Sequence, residues 1–127
     1  MFAINTNGTG FTTLHSFTAV SGSGANSDGT GPLAGLILSG NTLYGTAVNG
    51  GSSGHGTVFA LNTNGTGFLN LHSFTATSGY PSINSDGVGP LAGLILSGNT
   101  LYGTAYYGGG SGYGTVFSLS LGPASAP

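Results

Sequence analysis

Short apolar runs alternate with glycine and asparagine along the whole chain. Leu33 to Ser39 is apolar and ends at Gly40-Asn41. Thr42 to Val48 follows, then a glycine-rich stretch, Asn49 to Gly56. Thr57 to Leu61 is a third run and Phe68 to Thr75 a fourth, with Asn64-Gly65 between them. Asn7-Gly8 stands in the same place ahead of Phe11 to Thr18. Runs rich in Val, Thr, Phe, Tyr and Leu, punctuated in this way, predict short antiparallel strands. Asn-Gly between two such runs predicts a hairpin whose turn residues adopt positive φ. No helix start signal precedes a 3.6-residue apolar period. The pattern predicts an all-β chain.

The runs repeat. Asn5 to Phe11 recurs unchanged as Asn62 to Phe68, and Leu14 to Ala19 as Leu71 to Ala76, both at an offset of 57. Gly31 to Ala47 recurs as Gly89 to Ala105, and Gly56 to Phe59 as Gly114 to Phe117, at 58. The offset changes because the loop Val20 to Gly31 gains one residue in its second copy, which marks it as tolerant surface. Four strands in a unit of this length predict β-propeller blades of four antiparallel strands, about two per chain. The boundaries are a partial blade of third and fourth strands at 1–18, a full blade at 32–75, a partial blade of first to third strands at 90–121 and a loose tail at 122–127. Two blades leave apolar faces open, so the expectation is a ring completed by oligomerisation, a homo-oligomeric trimer or tetramer. Each chain would lend its fourth strand, Phe11 to Thr18, to the next. Either Met1 to Asn5 or Gly114 to Leu119 could serve as the third strand of the completed blade. An open filament, a solenoid, or a piece of a longer propeller are the alternatives.

The feature order, with Gly-Gly after the second strand, is similar to that of kelch blades. The words Leu-Tyr-Gly-Thr-Ala, Gly-Thr-Val-Phe, Asn-Gly-Thr-Gly-Phe and Leu-His-Ser-Phe resemble more closely the bacterial GloVer-type tandem repeat, over residues 1 to 121. That family occurs mostly in large secreted or surface-anchored proteins, so the resemblance implies an extracellular or cell-surface setting. The chain departs from it in carrying about two units and no anchor, and its N-terminus does not read as a signal peptide.

Composition narrows the function classes. With no Lys or Arg, two acidic residues, three His and a formal charge of −2, nucleic-acid binding through phosphate neutralisation is not expected, nor is polybasic membrane attachment. No cysteine means no disulfide framework and no thiolate metal site. The 27 glycines and 5 prolines make up about a quarter of the chain, a share read as low complexity only where no period exists.

The candidate chemistry is thin. Strand alternation puts Phe11, Thr13, His15 and Phe17 on one face, so His15 and its equivalent His72 are expected between aromatics in a blade interface with Phe11, Phe17, Phe68 and Phe74. Burial there predicts packing that fails in acid between about pH 6 and 4. Asp28 and Asp86, with Asn26 and Asn84, sit in Asn-Ser-Asp-Gly loops, readable as an Asx turn or as a cation or sugar site. Tyr106, Tyr107 and Tyr113 cluster near one loop and could stack on sugars. No acid, base and nucleophile converge, so no catalytic residues, no enzyme activity, no metal and no cofactor are expected. The leading expectation is a self-assembling propeller scaffold or interaction protein; the alternative is a multivalent carbohydrate-binding, lectin-like propeller.

Overall fold

The computed structural model describes residues 1–122; residues 123–127, most of the expected tail, lie outside the described residues. Among the described residues there are nine strands and no helix. β1 (Phe2–Ala3) pairs with β2 (Thr12–Thr13) in an N-terminal sheet. β3 (Ile37–Ser39), β4 (Thr42–Ala47), β5 (Thr57–Asn62) and β6 (Leu69–Ser73) form a central sheet in that order. β7 (Ile95–Ser97), β8 (Thr100–Ala105) and β9 (Thr115–Ser120) form a C-terminal sheet. Every pairing is antiparallel between strands adjacent in sequence. The repeat is also a repeat of register: Ala47 faces Thr57 as Ala105 faces Thr115.

The Asn-Gly turns differ in type from the two-residue turn expected. Gly8 and Gly65 adopt φ of 84° and 85°, but among the described residues none other than glycine has positive φ. The Gly8 N–H donates to the Asn5 carbonyl, and the Asn5 N–H to the Thr9 carbonyl. These bonds close a three-residue loop, a helical-type turn followed by one left-handed glycine. The Asn7 side chain stays outside that region because its Oδ1 accepts from the Thr9 N–H and hydroxyl. The apolar run Leu33 to Leu36 also falls outside a strand, and β3 begins only at Ile37. Pro32 has no N–H to give a ladder, and Leu33 is exposed.

The three sheets lie face to face. β5 is buried along Thr57 to Leu61 because it is covered on both sides. Phe59, Leu61 and Ala47 pack against Met1, Leu14 and Phe17 of the N-terminal unit. On the opposite face, Val58 and Phe74 pack against Leu94, Leu101 and Ala105 of the C-terminal unit. Gly45 makes this possible within the sheet: a Cβ there would lie 2.7 Å from the Phe59 ring.

One placement departs from the alternation. Phe11 does not join His15 and Phe17; it stacks on Phe2 at 5.4 Å on the outer face and is exposed. In the second copy a bulge between Val58 and Phe59 shifts the β5–β6 register between Asn70 and His72. Such a bulge reverses which face the following residues take.

Candidate functional site

The two Asn-Ser-Asp-Gly loops are the joints between successive sheets. In the first joint, the His15 ring donates from Nε2 to Asp28 Oδ2 at 2.9 Å. The Thr18 hydroxyl donates to Oδ1 at 2.6 Å, and the Thr18 N–H reaches both carboxylate oxygens at 3.3 and 3.1 Å. Asn26 donates to the carbonyls of Thr18 and Gly29, and its Oδ1 accepts from the N–H groups of Gly29 and Gly51. The Thr57 hydroxyl, from β5, donates to the Asp28 carbonyl. The second joint repeats the set with His72, Thr75, Asn84, Asp86, Gly109 and Thr115, and its His–Asp distance is 2.8 Å.

The loops fold this way because Asn and Asp can hold local backbone while glycine takes the left-handed positions. Gly29 has φ of 103°, and a side chain there would meet Thr57 and Ala47. Burial alone would raise the Asp28 pKa. The Thr18 hydroxyl, the His15 ring and the Thr18 N–H, together with the His15 charge, outweigh burial and hold it below its ordinary value. Asp86 is lowered by the equivalent set, Thr75 and His72, against the same opposing burial.

Aromatic rings complete the first joint. The His15 ring stacks on Phe68 at 3.9 Å with an 8° interplanar angle. Phe17 meets it edge-on at 4.8 Å and meets Phe59 at 5.4 Å. In the second joint His72 meets Phe74 at 5.1 Å and Phe74 meets Phe117 at 5.2 Å. An imidazole stacked on a ring and bonded to a carboxylate is held in place. This arrangement can fix one unit on the next and bury a charge.

Apart from Phe11, which stacks on Phe2, the residues singled out from sequence fall into two groups. Asp28, Asp86, Asn26 and Asn84 join His15, His72, Phe17, Phe68 and Phe74 at the joints, with their polar atoms directed at the chain's own donors and carbonyls. The sequence reading placed the histidines and the aspartates apart. It also missed Thr18, Thr75, Thr57 and Thr115, for which only their invariance under the repeat offset gave a signal. Tyr106 and Tyr107 meet edge-on at 4.4 Å. Tyr107 and Tyr113 line an open groove of about 420 Å³ with His55, Tyr80, Pro81 and Val88, and all three tyrosines border another of about 540 Å³ with Leu91 and Thr104.

No curated protein and no solved structure matches the chain. The Gloeobacter/Verrucomicrobia repeat matches it over residues 1–125. With the doubled strand order and the two copies of the His–Asp joint lying inside that span, the chain belongs to the Gloeobacter/Verrucomicrobia repeat family.

Proposed function

We propose that the protein is a non-enzymatic scaffold whose units are β-propeller blades, and that copies associate through their outer sheet faces into a closed ring. The observation that carries this is a contrast between equivalent residues: Val58 is 0% exposed and Val116 is 83% exposed. The first is covered by the next sheet; the second lies on the outer face of the C-terminal sheet with Ile95 and Tyr102. Phe2, Ile4 and Phe11 form a similar apolar face at the other end. Inside the chain, the counterparts of these two faces pack on one another. A surface with almost no charge opposes such contacts little. The contact is heterologous, so it closes into a ring when the rotation allows. Light scattering of the 127-residue chain at micromolar concentration tests this. A mass three or four times 12.3 kDa supports the ring, and a monodisperse monomer contradicts it. An extracellular or cell-surface setting is the matching proposal for where it works.

A second reading, neutral-saccharide binding, is favoured by where the two copies diverge. Framework segments are identical, yet Asn49 and His55 of the first copy become Tyr107 and Tyr113 in the second. The loop that gains a residue contributes Tyr80 and Pro81 to the same groove. Tyrosine faces with hydroxyl tips suit sugar rings, and multivalency in a ring would raise avidity. An array of neutral glucans, mannans, galactans and xylans is the test. Retention should drop in Tyr107→Asn/Tyr113→His, which installs what the first copy already folds with; no retained glycan, or equal retention, contradicts it.

A further inference from the structure

The second joint has the walls of the first without its central ring. Phe68 lies against His15, Phe17 and Phe59, with centroids at 3.9, 6.0 and 5.4 Å. The counterparts of those three residues, His72, Phe74 and Phe117, line a cleft of about 120 Å³ together with Val58, Asp86 and Leu119. The walls already hold the same mutual geometry. His15–Phe17 and His72–Phe74 are edge-on at 4.8 and 5.1 Å, and Phe17–Phe59 and Phe74–Phe117 are edge-on at 5.4 and 5.2 Å. The His–Asp pair beside the cleft is more open than its counterpart. The side chains of His72 and Asp86 are 36% and 19% exposed, against 19% and 6% for His15 and Asp28. At 58 residues after Phe68 the sequence has Ala126 in place of an aromatic.

We infer that this cleft is a socket for Phe11 of a second copy. The inference rests on the scaffold reading and says how the copies join. Phe11 is the repeat counterpart of Phe68 and is 62% exposed. β2 carries it to the right place if β2 of the second copy adds to β9, beyond which no strand lies among the described residues. The repeat fixes the register. Thr57, Val58, Phe59 and Ala60 face Ser73, His72, Asn70 and Leu69, so Thr115, Val116, Phe117 and Ser118 would face Ser16, His15, Thr13 and Thr12 of the second copy. That makes four register pairs where β1 now gives β2 two, Phe2 with Thr13 and Ala3 with Thr12, extended by Met1 bonds to Leu14 and His15. β9 thus replaces β1, its own sequence counterpart, as the third strand against β2. The exchange covers an exposed edge, stacks Phe11 on His72, and brings β2 alongside Phe117.

Sedimentation of the full chain over a range of concentrations tests the socket, with His72 ring-proton shifts read by NMR. Phe11→Ala removes an exposed side chain, so the single chain still folds. It is expected to weaken association about tenfold or more, as loss of a central aromatic anchor does. It also abolishes the upfield shift of the His72 protons that appears on assembly. Phe2→Ala is expected to leave association within about threefold or to tighten it, because β1 is displaced. Assembly with unchanged strength in Phe11→Ala overturns the socket and leaves the scaffold reading standing. Equal weakening by Phe2→Ala overturns the strand exchange in favour of simple face stacking. A wild-type chain that stays monomeric at every concentration overturns both.

Discussion

β5 and β9 begin with the same three residues, Thr-Val-Phe, and pair with preceding strands that are identical in sequence. Their surroundings differ completely. β5 is buried along Thr57 to Leu61, between two sheets and beside β6. β9 alternates between half-buried and exposed, with one face packed and one edge unpaired among the described residues. Burial in this protein is therefore a property of a unit's neighbours as much as of its sequence, as expected where each repeat contacts only the adjacent ones.

The comparison can be broken most forcefully at the paired phenylalanines. Phe59 is fully buried among Phe17, Phe68 and Leu36, and Phe59→Ala should cost about 3–5 kcal/mol. Phe117 keeps Phe74 and Leu94, the counterparts of Phe17 and Leu36, but lacks that of Phe68, and Phe117→Ala in the dissociated chain should cost less, about 2–3 kcal/mol. Urea unfolding of the two variants at sub-micromolar concentration measures both. Equal costs would mean that coverage does not govern stability.

A second contrast lies in the joints. Asp28 accepts from His15 and twice over from Thr18 in a buried setting. Asp28→Asn should therefore cost about 2–3 kcal/mol, by loss of charge-assisted bonds to buried donors. Asp86→Asn should cost about 1 kcal/mol, because its more exposed setting lets water replace part of the loss. Thermal melts of the two variants give the ranking.

The same carboxylates set an acid limit. Their folded pKa lies below the ordinary value, so the unfolded chain takes up protons first. Their contribution is fully present above the unfolded pKa, about 3.9, and is lost as pH falls through the lower folded value. This loss lies below the pH 6 to 4 window expected from buried histidines and belongs to the carboxylates. Melting temperature should fall steeply below about pH 4. In Asp28→Asn/Asp86→Asn that drop should shrink, and a drop of unchanged size would remove the carboxylates from the account.

The smallest effect sharpens the contrast at a single side chain. Val58→Ser should cost about 2 kcal/mol, and Val116→Ser less than about 0.5 kcal/mol in the dissociated chain. If the C-terminal face is covered in an assembly, the second cost should reappear as weaker association at higher concentration.

Much of this was legible in the sequence and the rest was not, for physical reasons. The all-β fold, the strand order and the positive φ of Gly8 and Gly65 followed from local chemistry and from the repeat. The start of β3 differs from the expectation because apolar content alone does not distinguish a strand from the irregular, largely exposed segment Pro32 to Leu36. Phe11 takes the other face from the one strict alternation gives it; the equivalent stretch of β6 carries a bulge, which leaves no mark in the sequence. The His15–Asp28 bond was invisible for another reason. Its partners are 13 residues apart across a loop with no period, and only folding brings them together. The groove at Tyr80, Pro81, Tyr107 and Tyr113 was half visible: the tyrosines stood out, but the convergence of His55 from the preceding unit did not.

Amide hydrogen exchange in β5 and β9, followed from nanomolar to high micromolar concentration, tests the central claim most directly. The claim is that β9 differs from β5 only in what covers it. β5 amides should be protected at every concentration. β9 amides that point away from β8 should exchange fast in dilute solution and approach the protection of β5 as the chain associates, with half-protection tracking the sedimentation midpoint. β9 amides that stay fast in the concentrated, associated protein would contradict the account, because the copies would then be joined somewhere other than at this edge.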